Sequence, residues 1–174
     1  MKFLNDAELE SLLNLLDLHK GERDSILIRV LLFTGARTIE VTKLTKADLR
    51  EGGLFIHAAK GSNDRLVPLA ADFYEELKTY AANMAVTDRL FPIATRTIRH
   101  IWKHWRPNRN LGAHSLRHTI GVRHYSSCAD IHATKTLLGH KSISSTLIYL
   151  DFVESQRKLR ATMRGVFPKK KRVA

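Results

Sequence analysis

Residues 114–150 read HSLRHTIGVRHYSSCADIHATKTLLGHKSISSTLIYL, and three helical segments fit this stretch. The pattern predicts helices over 115–127, 131–138 and 143–149, the last two separated by the turn LGHKS at 138–142. His114 and Arg117 lie three apart at a helix start and so share a face. His140 sits at the turn between helices, and Tyr149 comes nine residues later, on or just beyond a short helix.

Upstream, residues 6–18 read as an amphipathic helix, with Leu9, Leu12, Leu13 and Leu16 at helical spacing. Residues 24–34 are apolar nearly all round, which predicts a buried central helix ending at Gly35. A short helix is expected over 38–44. Two short strands, 54–58 and 65–69, flank the turn KGSND at 60–64. Pro68 marks the second strand as an edge strand or one about to end. Helices are expected again over 72–84, 95–106 and, beyond the opening stretch, 153–163. The fold class is therefore mainly α with a small antiparallel β-sheet. No repeat or interdomain linker is visible, so one domain is expected over residues 1–166, followed by a basic tail at 167–174.

Charge is distributed unevenly. Residues 1–87 carry 11 Lys/Arg against 13 Asp/Glu, whereas residues 88–174 carry 18 against 4. That asymmetry points to a polyanionic partner, with nucleic acid first and a ribosomal or acidic membrane surface as the alternatives that composition leaves open. In the 95–106 helix, Ile98, Ile101, Trp102 and Trp105 share one face, and Arg96, Arg99, His100, Lys103 and Arg106 share the other. The basic face is either a solvated surface or one laid against DNA, where Arg96, Arg99 and Lys103 would meet phosphates or base edges. The tail PKKKRV at 168–173 looks like a nuclear-localisation signal, but Lys169, Lys170, Lys171 and Arg172 read better as phosphate contacts.

The single cysteine, Cys128, cannot form an internal disulfide, and no Cys/His spacing reads as a zinc site. The start MKFLNDAELE turns acidic before an apolar region develops, so no signal peptide is expected. The apolar runs fall short of a bilayer span. A cytoplasmic, nucleoid-associated protein is the resulting expectation. The chain has no Walker-type glycine loop, no acidic pair spaced for magnesium and no HExxH. Phosphodiester chemistry without a cofactor needs side-chain cations in place of a metal. It also needs a nucleophile that stores the bond energy for resealing, a role that suits tyrosine.

Four stretches together resemble the tyrosine recombinases, or phage integrases: TGARTIEVTKL at 34–44, KGSNDRLVPL at 60–69, HSLRHT at 114–119 and LGHKSISSTLIYL at 138–150. They occur in that family's order, with its usual 26 residues from His114 to His140 and nine from there to Tyr149. The resemblance covers essentially the whole chain. It implies the fold of that family's catalytic domain and a site-specific recombinase that breaks and rejoins DNA through a 3′-phosphotyrosyl link on Tyr149. Arg37 and Arg117 would clamp the scissile phosphate, Lys60 would protonate the leaving 5′-oxygen, and His114 and His140 would assist at the phosphate. Glu40 would orient its neighbours. His118, His124 and His132 read as ordinary helical histidines.

The resemblance also implies double-stranded DNA as partner, two or four protomers on it, and accessory DNA-bending proteins in some settings. No cofactor and no metal is implied. Segment 153–166 is a candidate for the C-terminal helix that family members exchange between protomers. Members of the family commonly carry an additional N-terminal DNA-binding domain; this chain reads as a short member or a truncated one. Integration, excision, inversion and resolution all remain open, as does use by a mobile genetic element. A topoisomerase of type IB and a non-catalytic DNA-binding regulator are the rival readings.

Overall fold

The computed structural model describes residues 1–166; the tail lysines and Arg172 lie outside the described residues. Helix α1 (Asp6–Leu18) starts at a capping box in which Asn5 and Glu8 satisfy each other's backbone amides. It buries Leu9, Leu12 and Leu16, as its periodicity predicts. Helix α2 (Arg23–Thr34) is buried nearly all round and ends at Gly35 in the left-handed region. Helix α3 is shorter than expected, Thr38–Val41, because the chain tightens at once: the Lys43 and Leu44 amides bond carbonyls three residues back.

Three strands form an antiparallel sheet in the order β1 (Leu49–Arg50), β2 (Gly53–Ile56), β3 (Arg65–Pro68). Leu54 pairs with Val67 and Ile56 with Arg65, so their side chains point inward while Leu66 and Pro68 face out. Strand β3 is an edge strand that stops at Pro68, which donates no ladder hydrogen bond. The two-residue β1 escaped sequence reading because it is too short for alternation to register. Strand β2 ends at Ile56 and not at Ala58, since the Ala58 amide turns aside to the Asp64 carboxylate.

Helix α4 (Ala71–Tyr80) ends four residues before the expected Met84, where the Ala82 and Met84 amides again bond three residues back. Helix α5 (Thr95–Trp105) buries Ile98, Ile101 and Trp102, and the Trp102 indole donates to the Leu111 carbonyl at 3.1 Å. Helix α6 (His114–Cys128) is the central pillar, packed against α2, α7 (Ile131–Leu138) and α8 (Ser144–Val166).

The two helices expected over 143–149 and 153–163 are one continuous α8. No Gly or Pro interrupts it at 150–152, and Phe152 packs edge-on against Phe3 with ring centroids 4.9 Å apart. One core joins α1, α2, the sheet, α4 and α5; a second, built of Val122, Tyr125, Leu138, Tyr149 and Val153, lies between α6, α7 and α8. Among the described residues no helix is long and apolar enough to cross a membrane.

Candidate active site

One face of α6 carries His114, Arg117, His118 and Gly121, at helical spacing. Arg117 is 2% exposed. Its guanidinium donates to the Gly35 carbonyl at the end of α2 and to the Leu138 carbonyl at the end of α7, the latter at 2.7 Å. These are orphan acceptors at helix C-termini, where a cation is favoured. Arg117 thus ties three helices together at the point where its charge is presented. Burial, with Arg37 and Arg65 nearby, pulls its pKa down to about 10. The same surroundings of burial and positive charge lower His114 and pull His140 down to about 4. Crowded cations and burial thus disfavour further positive charge on these side chains.

Glu40 is the acidic hub beneath this cluster, with its side chain fully buried. Its carboxylate accepts from the Arg37 amide at 2.9 Å, the Ser62 hydroxyl at 2.6 Å and the Arg65 guanidinium at 3.0 Å. The Arg37 guanidinium lies 3.6 Å away. Burial raises the Glu40 pKa, but Arg65, Ser62 and the Arg37 amide outweigh it and hold the carboxylate ionised. Among the described residues, Nη1 of Arg37 is buried with no hydrogen-bond partner.

Arg65, which the sequence presents only as a strand residue, is 6% exposed and also donates to the Leu137 carbonyl at 2.9 Å. It thereby holds the hairpin against the α7–α8 turn. Asn63 donates to the Gly139 carbonyl at 2.8 Å, and Ser62 and His140 form a β-bridge. Gly139 is obligatory here: its φ is +67°, and an added Cβ would meet Arg65 Nη1 at 2.6 Å and the Asn63 carbonyl at 2.9 Å. His140, 6% exposed, is oriented by its Nδ1 contact with the Thr146 hydroxyl at 2.9 Å. Lys60 stands exposed at the hairpin turn, two residues before Ser62.

Tyr149 lies in the second turn of α8 and is 1% exposed. Its ring runs parallel to that of His140, centroids 6.4 Å apart, and rests on Gly121, where a Cβ would come within 2.7 Å of the ring. The hydroxyl is 3.1 Å from Nδ1 of His118. Burial raises the phenol pKa, while Arg117 and Arg37 oppose the rise. His118, which reads in the sequence as an ordinary helical histidine, thus touches the site's tyrosine. Its only sequence signal is its place four residues after His114.

Beside the cluster runs an open groove of about 670 Å³ lined by Arg37, Arg99, Lys103, Arg106, His114 and Arg117, among others. No Asp or Glu lines it among the described residues. The structure thus brings Arg99 and Lys103 of α5 to the groove that holds Arg37 and His114. Arg96 is exposed on α5 but does not line it. Arg106, which sequence reading placed on the basic face, lines the groove and donates to the Leu111 carbonyl. Among the described residues no group of three or more His, Cys, Asp and Glu side chains could hold a metal ion.

The family model described as the phage integrase family matches residues 2–155. The chain belongs to that family. Tyrosine recombinase XerD of Pseudomonas putida is 32% identical over 169 residues, which cover 85% of this chain and 56% of that protein. In fold, the chain is similar to the XerA recombinase, with a TM-score of 0.74 at 24% identity over 94% of this chain and 64% of the other. It is also similar to the XerH site-specific recombinase bound to a palindromic difH substrate in a post-cleavage complex. There the TM-score is 0.69 at 26% identity, over 92% of this chain and 52% of XerH. The chain thus spans little more than half the length of XerD and XerH.

Proposed function

We propose that this chain is the catalytic domain of a site-specific DNA recombinase that breaks and rejoins double-stranded DNA through a phosphotyrosine on Tyr149. One observation carries the reading: the α6 face that seats Tyr149, through Gly121 and His118, also carries His114 and Arg117, which together with Arg37 line a groove free of acids among the described residues. A phosphodiester is the natural ligand for paired guanidiniums in such a groove. Family membership and the likeness to a recombinase held on its substrate support the same reading.

In this account, Arg37 and Arg117 bind the non-bridging oxygens and stabilise the charge of the pentacoordinate transition state. His114 and His140 add hydrogen bonds to the phosphate. As the Tyr149 oxygen bonds to phosphorus, its proton departs with His114 assisting the transfer, the bond to the 5′-oxygen breaks, and Lys60 protonates that oxygen. The aryl phosphodiester conserves the bond energy, so a 5′-hydroxyl from another strand reverses the step without an external energy source. Arg99 and Lys103 extend the cationic surface from the clamp along the groove, where they would follow the DNA backbone.

The test uses the duplex that the chain binds most tightly after selection from a random DNA pool, nicked near the cleavage point and end-labelled. The account predicts protein joined to the strand bearing a 3′-phosphate, with a free 5′-hydroxyl on the other side. Joining to the 5′ end, or hydrolysis without joining, would reject it. Exchange of strands between two such duplexes identifies a recombinase, whereas supercoil relaxation alone identifies a topoisomerase.

A further inference from the structure

We propose that His118 is a positioning residue: it accepts a hydrogen bond from the Tyr149 hydroxyl and, with Gly121 beneath the ring, holds the nucleophile beside the arginine pair. This inference rests on the phosphotyrosine reading and assigns the tyrosine's seat within it.

The case begins with the geometry of α6. Residues 114, 117, 118 and 121 fall on one helical face, so the element that carries the clamp arginine also carries the floor and the acceptor for the tyrosine. At Gly121 only a hydrogen fits, because a Cβ would stand 2.7 Å from two ring atoms of Tyr149. The ring therefore lies directly on the helix backbone, and its hydroxyl reaches His118 Nδ1 at 3.1 Å. The His118 ring is braced edge-on by His114, with centroids 4.7 Å apart.

Chemistry favours acceptance over donation. Burial and the neighbouring His114 pull the His118 pKa down to about 4, so the ring is neutral at physiological pH. With its proton on Nε2, Nδ1 offers a lone pair to the phenol hydrogen. A tyrosine ring alone leaves its hydroxyl torsion and tilt free. An acceptor at a set position directs the hydroxyl hydrogen away from the incoming phosphate and leaves an oxygen lone pair for phosphorus. The seat spans α6 and α8, so it also fixes how α8 meets the clamp.

The experiment measures single-turnover adduct formation on the selected, nicked duplex at saturating DNA, together with DNA affinity and thermal midpoint. The variants are His118→Ala, His118→Phe and His118→Asn. Asparagine offers a carbonyl oxygen near the position of Nδ1; phenylalanine keeps the ring volume without an acceptor.

The inference predicts adduct formation slowed about tenfold in the Ala and Phe variants, with DNA affinity unchanged, and a rate within about threefold of wild type for Asn. Equal slowing in all three variants, or a wild-type or faster rate in Ala and Phe, would overturn it. Wild-type protein that forms no adduct would overturn the phosphotyrosine reading itself, so the two failures are distinguishable.

Discussion

Substituting Glu40 by Gln removes one charge and almost no volume from the centre of the site, and the structure sets the expected cost. Glu40 Oε2 accepts from Arg65 Nη2 at 3.0 Å and from the Arg37 amide at 2.9 Å, while Oε1 accepts from the Ser62 hydroxyl at 2.6 Å. A glutamine oxygen in the Oε2 position keeps two of these bonds in neutral form. Its NH₂ then faces Ser62, whose hydroxyl must rotate. The larger loss is at Arg65, a guanidinium with only 3% of its side chain exposed, which becomes a buried cation without a counter-charge. Deleting one partner of a buried pair costs about 3–5 kcal/mol; with the neutral bonds kept, E40Q should cost about 2–3 kcal/mol.

Urea denaturation followed by fluorescence measures this, and the midpoint should fall without a change in slope. A cycle with Arg65→Met isolates the pair. Methionine leaves no cation to strand, so the double variant should be more stable than the sum of the singles by about 1–3 kcal/mol. Because the folded pKa of Glu40 is depressed, its stabilisation is full above the ordinary carboxylate range and is lost as pH falls through the lower, folded value. The difference between wild type and E40Q should therefore shrink in acid. A loss below about 0.5 kcal/mol, which is typical of an uninvolved surface position, or strictly additive variants, would refute this account of Glu40.

Arg37→Ala should slow DNA cleavage about 100- to 1,000-fold at saturating DNA, the effect of removing one donor that stabilises transition-state charge; a rate within threefold of wild type would remove Arg37 from the clamp. Gly139→Ala forces a Cβ into a +67° conformation against Arg65 and the Asn63 carbonyl, and should cost about 1–3 kcal/mol of stability. Denaturation checks this, and an unchanged midpoint would mean that the hairpin does not depend on this close approach. Neutralising Arg96, Arg99 and Lys103 together should lower the salt dependence of DNA binding by about three in slope. An unchanged slope would detach the α5 face from DNA.

Much of this was legible before any coordinates. Apolar spacing located α1 and α2, and glycines at 35 and 139 marked helix ends, because those are local properties of the chain. The ordered stretches around Arg37, Lys60, Arg117 and Tyr149 carried the family resemblance. What stayed hidden depends on contacts between distant elements. Arg65 reads as a polar strand residue until α7 and α3 are folded over it. His118 reads as one histidine among several until α8 brings Tyr149 to 3.1 Å. Local pattern was also silent on whether α8 continues past Tyr149, because packing of Phe152 on Phe3 helps to settle that question.

The most direct measurement of the central claim is covalent attachment on the selected, nicked duplex, read as a shifted band on a denaturing gel. Wild-type protein should accumulate the adduct, and Tyr149→Phe, which keeps the ring on Gly121 and removes only the oxygen, should bind the same duplex and give none. An adduct that survives in Tyr149→Phe, or its absence from wild-type protein bound to that duplex, would contradict the assignment of Tyr149 as the nucleophile.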